Sequence, residues 1–350
     1  MSDTDLLSRV FGVLDPGARN LAVLRRGGRL LLCLPADRES ATRTLRLYQP
    51  QRFLARASVT MVDLLTRCGL HGAMLGKVGV AGGSVDVTPA LAGIVRGTCG
   101  VMFGSPEHRV RRAIASFKTA NGWEVAKIAF GGDGWDVIRG EVEALQSLPG
   151  NTPGMPTVLG VHRGTDFALM RLPYFQGRVL GTGETAEAIA LLASWQSRLP
   201  AKPLREFPEW PAIERALARH PNGGQAVERW SRFQLRPVIR HGDFARWNLI
   251  RTAQGGLMVL DWEWGEACGM PGIDLVHFFA QDARLVKRLP PVAVIRSVAQ
   301  SLQRDDCRNY LEATGWQGDV RATILASIAF TVGTGQQANE EVLAALLNAC

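Results

Sequence analysis

Residues Val238–Glu263 read VIRHGDFARWNLIRTAQGGLMVLDWE. Asp243 follows His241-Gly242, and Asn248 stands five residues after it. Asp261 comes eighteen residues after Asp243, just past the apolar run Leu257–Leu260, and Glu263 is two residues further on. Taken singly, a loop Asp or Asn is a turn or capping residue. Taken together they form a set with a chemical purpose. Phosphoryl transfer needs a carboxylate that orients and deprotonates an attacking hydroxyl. It also needs hard oxygen ligands for a Mg²⁺ ion bridging nucleotide phosphates. A loop that offers an Asp and then an Asn serves both needs. A second Asp on the next hairpin strand completes the metal site.

The spacing matches the protein-kinase template H-R-D-x-x-x-x-N followed by an Asp, with Gly242 where that template has Arg. Such a site also needs a cation for the nucleotide phosphates. The chain has only five lysines. Lys127 sits inside the apolar run Val125–Phe130, where a Lys is costly unless paired or ligand-bound. The competing reading is an edge strand with the ammonium in water. The partner should be a Glu on the next helix, and Glu141 and Glu143 are both candidates. Glu141 is spaced to share the inward face of Val137 and Leu145 and is preferred; a solvent-facing carboxylate is the alternative. The loop from Phe103 to Arg109 offers Gly104 and Ser105 to a phosphate, but it lacks the G-x-G-x-x-G of protein kinases.

Working outward, Arg111–Phe117 and Trp123–Phe130 read as a β-hairpin around Thr119–Gly122. Trp135–Leu148 has helical spacing and stops at Pro149-Gly150. Thr157–Val161 and Phe167–Leu172 read as strands. Beyond Pro173 the pattern is helical, with Glu184–Leu199 as one amphipathic helix and Trp210–His220 and Gln225–Phe233 as two more. In the first 95 residues, Arg29–Pro35 reads as a strand, Glu39–Tyr48 and Phe53–Cys68 as helices, and Val78–Val87 as a Gly-rich loop. The expected organisation is an extension over 1–95, a strand-rich lobe over 96–172 that binds nucleotide, and a helical lobe over 173–350 with the catalytic loop, metal site and substrate site.

Composition narrows the function classes. The 350 residues are 46% hydrophobic and 21% charged, which excludes a disordered or collagen-like chain. The net charge of +8 lies mostly in the first 95 residues, at net +5, and no run of five basic residues occurs. A nucleic-acid partner is therefore not expected. The six cysteines are scattered without a CxxC pair, which argues against a disulfide framework or zinc site. No secretory signal or apolar stretch of membrane-spanning length is visible. The expectation is a soluble, cytoplasmic protein; its oligomeric state is not encoded in these features.

HGDFARWN (His241–Asn248), LDWE (Leu260–Glu263) and GMPGIDLVHFF (Gly269–Phe279) resemble the aminoglycoside phosphotransferase and choline kinase family, over roughly residues 97–280. The resemblance implies an α+β, bilobal protein-kinase-like fold with a small strand-rich N-lobe and a larger helical C-lobe, here carrying an N-terminal α/β extension. It implies that Asp243 is the catalytic base, that Asn248 and Asp261 hold magnesium with Glu263 near the metal, and that Lys127 contacts the α/β-phosphates while paired to Glu141. The nucleotide, ATP or alternatively GTP, would place its base near Met170–Pro173, with Met170 and Leu172 as contacts. Asp274 and His241 would brace the loop. The expected activity is transfer of a γ-phosphoryl group to a hydroxyl of a small molecule. The segment from Pro173 onward is nearly neutral, at net +1. That favours a sugar, polyol or glycan precursor over an aminoglycoside or choline-type amino alcohol. A non-catalytic nucleotide-binding regulatory module is the alternative from another class. Ser105 and Ser116 lack a nucleophile elbow, which argues against a serine hydrolase.

Overall fold

The structure, a computed structural model, describes residues 5–7, 9–10, 20–50, 53–79, 94, 96–104, 109–335, 343–344 and 347. Most of the Gly-rich stretch expected as a loop, from residue 80 on, and Ser105 lie outside them. The chain divides into two compact units: residues 1–142 with 156–175, and residues 143–155 with 176–350. Among the described residues no helix is long and apolar enough to cross a membrane.

The first unit is built on one antiparallel sheet. Its strands are β1 (Asn20–Arg26), β2 (Arg29–Leu34), β3 (Gly76–Gly79), β4 (Arg96–Phe103), β5 (Arg111–Thr119), β6 (Gly122–Phe130), β7 (Gly160–Arg163) and β8 (Phe167–Pro173). Their order is β3-β1-β2-β4-β5-β6-β8-β7. The strands of the N-terminal extension thus hydrogen-bond into the same sheet as the expected β5–β6 hairpin, through β2 against β4 at Leu32↔Met102 and Cys33↔Val101. Gly27 and Gly28, at φ +58 and +79, make the β1–β2 turn, where only Gly holds two successive left-handed residues without strain.

Side-chain alternation gives the sheet two buried faces. Val23, Cys33, Val101, Ala115, Phe117, Ile128 and Leu169 pack on one. Ala22, Leu32 and Leu34 pack on the other with Ala41, Leu45 and Val62 from helices α1 (Arg38–Leu45) and α2 (Phe53–Arg67). The short helix α3 (His71–Met74) leads into β3, and α4 (Gly134–Ser147) follows β6. Strand β7 starts at Gly160, three residues later than the apolar pattern suggested.

The second unit is mainly helical: α5 (Thr185–Ser194), α6 (Trp210–Leu217), α7 (Gly223–Trp230), α8 (Ile273–Gln281), α9 (Pro291–Ser301), α10 (Asp305–Ala313) and α11 (Val320–Thr334). Short strands interrupt them: β9 (Gly177–Val179), β10 (Lys202–Pro203), β11 (Gln234–Leu235), β12 (Val238–Arg240), β13 (Leu249–Thr252), β14 (Leu257–Val259) and β15 (Glu266–Gly269). The chain is α+β, as expected, with a strand-rich part and a helical part. One expected element is shorter. Helix α5 ends at Ser194, because the next backbone groups pair with the strand after Arg236: Ile239 N–H donates to the Trp195 carbonyl and Ser197 N–H to the Pro237 carbonyl. The tryptophans near the catalytic loop divide by position. Trp195 and Trp262 are fully buried and in contact, with ring centroids 5.2 Å apart, whereas Trp264 is half-exposed.

The extension is integral to the first core, which gives a direct test. A chain starting at residue 96 loses the β2 partner of β4 and uncovers Val101 and Phe103. Expressed without residues 1–95, it is expected to be insoluble or to bind a hydrophobic dye strongly. A soluble, cooperatively folding truncation would contradict this packing.

Candidate active site

In the first unit, Lys127 lies on β6, flanked on both sides by β5 and β8, where it pairs with Ile114 and Met170. The edge-strand reading therefore does not apply. Its Nζ donates to both carboxylate oxygens of Glu141, at 2.6 and 2.8 Å. Glu141 is buried and Glu143 exposed, so the helix presents Glu141 inward. A buried ion pair adds little stability over packed apolar residues, yet removing one partner costs roughly 3–5 kcal/mol. Stability alone thus gives little reason for this pair at a position where a strand wants an aliphatic side chain.

The other expected nucleotide contacts lie on β8 and at the β4–β5 connection. Met170 and Leu172 on β8 are 0% and 3% exposed, with side chains in the core. Both residues pair with β6, opposite Lys127 and Val125. The Gly104 N–H donates to the Arg112 carbonyl at 2.9 Å. That bond closes the β4–β5 connection, so this N–H is not offered to a phosphate as expected. Ser105 is outside the described residues.

In the second unit the loop after β12 is held from below. The Asp274 carboxylate, near the start of α8, accepts the N–H of His241 at 2.5 Å and of Gly242 at 2.9 Å. His241 is fully buried. Its Nδ1 accepts the Asp243 N–H at 3.2 Å, so Nε2 carries the hydrogen and donates to the Leu260 carbonyl at 2.9 Å. Burial pushes the His241 imidazole below its ordinary 6.5, outweighing Asp274, Asp243 and Asp261, which raise it. The ring is a neutral brace. Leu260 N–H in turn donates to the Asn248 carbonyl at 2.8 Å. Leu260 thereby sets Asp261 beside Asn248 through its own main chain.

Gly242 has φ +87, and a Cβ there would come within 2.4 Å of the Trp264 Cβ and 2.8 Å of its carbonyl oxygen. The Arg of the kinase template has no room here. Asp261 also has positive φ, at +65, a strained conformation for a residue with a side chain. Arg246, buried within the loop, donates to Asp282 and to the Gly181 carbonyl, pinning the loop to the end of α8.

Asp243 keeps about a third of its side chain exposed. Its Oδ2 accepts from Asn248 Nδ2 at 3.0 Å, and its Oδ1 lies 2.8 Å from His277 Nε2. His277, on α8, is the functional-site residue that the sequence reading missed. Its signal was present in register: Asp274, His277 and Gln281 fall on one helical face at i, i+3 and i+7. Gln281 places its amide nitrogen 3.2 Å from His277 Nε2 while its Oε1 is buried without a partner. A half-turn of that amide gives His277 Nε2–H two acceptors, Asp243 and Gln281.

The donor set suits Mg²⁺. Asn248 uses its amide nitrogen on Asp243, both at Oδ2 and at the main-chain carbonyl, which turns its Oδ1 away as a hard oxygen donor. Asp261 adds a carboxylate, and Glu263 follows it, partly buried. No cluster of three His, Cys, Asp or Glu occurs among the described residues.

Residues 138–296, less than half of the chain, match the model of the phosphotransferase enzyme family, in line with the resemblance read in the sequence. The match supports a phosphotransferase. A comparison with curated proteins finds no sequence match. Among solved structures, the chain is similar to a thermostable mutant of an aminoglycoside phosphotransferase (12% identity, 71% of this chain and 92% of that chain, TM-score 0.45). It is also similar to choline kinase from Cryptosporidium parvum (12%, 75% and 90%, TM-score 0.43) and to ethanolamine kinase from Plasmodium vivax (10%, 89% and 94%, TM-score 0.45). Likeness of this degree leaves the chemistry to be read from the chain's own residues.

The neutral, buried His241 predicts a pH dependence of stability. Its folded pKa lies below its unfolded one, so the unfolded chain binds the extra proton between the two values. Its stabilisation is fully present above pH 6.5 and is lost as the pH falls toward the folded pKa. Urea unfolding of wild type and His241→Gln, at pH 7.5 and 5.5, should show the gap between them narrowing on acidification by up to about 1.4 kcal/mol per pH unit. A constant gap would contradict the neutral brace.

Proposed function

We propose that the chain transfers the γ-phosphoryl group of ATP, or alternatively GTP, to a hydroxyl of a small molecule. The observation that carries this reading is the carboxylate of Asp243. It is fixed at one oxygen by His277 and at the other by Asn248, yet still reaches solvent. A carboxylate so held can accept a hydrogen bond from an incoming hydroxyl and point it in one direction. As the acceptor oxygen bonds to the γ-phosphorus and the bond to the leaving diphosphate breaks, the hydroxyl proton passes to Asp243. Asn248 and Asp261, with Glu263 close behind, would hold Mg²⁺. That ion, when bound, supplies charge neutralisation across the β- and γ-phosphates. Lys127 contributes a fixed cation to the nucleotide phosphates, and Glu141 keeps its ammonium in place.

His277 acts through Asp243 as a positioning residue. The near-neutral charge from Pro173 onward disfavours a polycationic acceptor. The non-catalytic module is the rival that the following test separates.

Asp243→Ala should abolish ATP-dependent phosphorylation, a loss of at least about a thousandfold, while leaving nucleotide affinity within about threefold by calorimetry. In the same assay His277→Ala should lower kcat by about ten- to a hundredfold with little change in KM for ATP, and shift the kcat–pH profile. His277→Gln should recover part of the loss. Unchanged transfer by the Asp243 variant, or nucleotide binding without turnover on any hydroxyl compound, would overturn the proposal.

A further inference from the structure

Next to the catalytic loop, wholly within the helical unit, is an open-mouthed chamber of about 90 Å³. Gly242 and His277 line it, and His277 Nε2 is the atom 2.8 Å from Asp243 Oδ1. A molecule in the chamber therefore ends beside the proposed base. Its walls are aliphatic and aromatic: Val276 from α8, Val294, Ile295 and Val298 from α9, and Ile328 and Phe330 from α11.

The polar groups of this chamber are few and mostly engaged. Ser327 donates to the Thr323 carbonyl and Thr331 to the Ile328 carbonyl, both at 2.8 Å, so each hydroxyl hydrogen is used on its own helix. No Asp or Glu is among the described lining residues, and the one charged side chain there is Arg284. Arg284 lies seven residues beyond His277, in the π-helical turn Asp282–Val286 that follows α8.

Each candidate acceptor class meets this lining differently. A polyol would bury several hydroxyls against mostly aliphatic walls, where Gln281 and His277 are among the few groups able to pair with them, and every unpaired hydroxyl lowers affinity. An aminoglycoside or choline-type cation would find no carboxylate on the walls beyond Asp243 at the chamber's end. An alcohol with an apolar body fits: the body contacts the aliphatic walls and the hydroxyl reaches His277 and Asp243. A carboxylate at the far end of that body would face Arg284.

Resting on the reading of Asp243 as the base, we propose that the acceptor is an apolar-bodied, neutral or anionic alcohol of the hydroxy-acid type, bound in this chamber. This departs from the sugar or polyol that net charge alone favoured, because net charge is blind to which residues line the wall.

The test uses the full-length chain with MgATP and reads ADP release. The acceptors are ω-hydroxy acids of six, eight and ten carbons, sorbitol and kanamycin, with calorimetric binding of each acceptor measured in parallel. Affinity for the hydroxy acids should rise about fourfold per added methylene. Ala280→Trp, which fills the chamber, should abolish that binding with an unchanged circular dichroism spectrum. The exposed Arg284→Glu should raise KM for the ten-carbon acid about tenfold, whether or not Ala280→Trp folds. Turnover of sorbitol or kanamycin without binding of any hydroxy acid would overturn the inference and leave the kinase reading intact. Chain-length-dependent binding with no transfer to any acceptor would overturn the kinase reading and uphold the chamber's preference.

Discussion

The carboxylate of Asp274 accepts two successive main-chain N–H groups, from His241 and Gly242. Hydrogen bonds to a charged acceptor are the strong ones, and here both lie in a protected setting. They set the path of the chain into Asp243, and the rest of the loop follows. Gly242 can turn left-handed only because it has no side chain to meet Trp264. His241 then meets the aromatic floor edge-on, its ring centroid 4.7 Å from that of Trp262, and reaches the Leu260 carbonyl. That contact, with the Leu260 N–H on Asn248, joins the Asp261 strand to the loop.

Helix α8 is the common support. Along Asp274, His277, Gln281 and the following Asp282 it holds, in turn, the loop backbone, the Asp243 carboxylate, the amide behind His277, and Arg246. Asp274, His277 and Gln281 recur at three- and four-residue steps and Asp282 caps the helix, so one rigid element holds both ends of the HGDFARWN segment. The opposing α9 and α11 supply the apolar chamber walls. The polar support and the apolar chamber therefore share helix α8, with His277 belonging to both, and a rotation of α8 would disturb both.

Much of this was legible in the sequence because it is carried by spacing. The Asp243–Asn248 interval, the later Asp261, the Lys127 strand and the Glu141 face all follow from short-range periodicity. His277 was not legible in the same way, since a lone His in GIDLVHFF looks like a core residue until Asp274 fixes the helical phase. The β1–β2 hairpin had its Gly27-Gly28 signal, but β4 is Gly-rich, and its pairing with β2 is a long-range fact. Helix α5 was overextended because amphipathic spacing does not reveal that Trp195–Ser197 pair with a strand forty residues on. The chamber was invisible because three helices distant in sequence build it.

On the proposed function, Asp274 acts on chemistry by fixing loop geometry. Replacing Asp274 with Asn keeps the shape but puts an amide donor where Gly242 N–H needs an acceptor. Steady-state phosphorylation by Asp274→Asn, with nucleotide affinity measured alongside, tests it most directly. The expected result is a fall in kcat of about a hundredfold or more, with nucleotide affinity within about threefold of wild type. A kcat near that of wild type would contradict the claim.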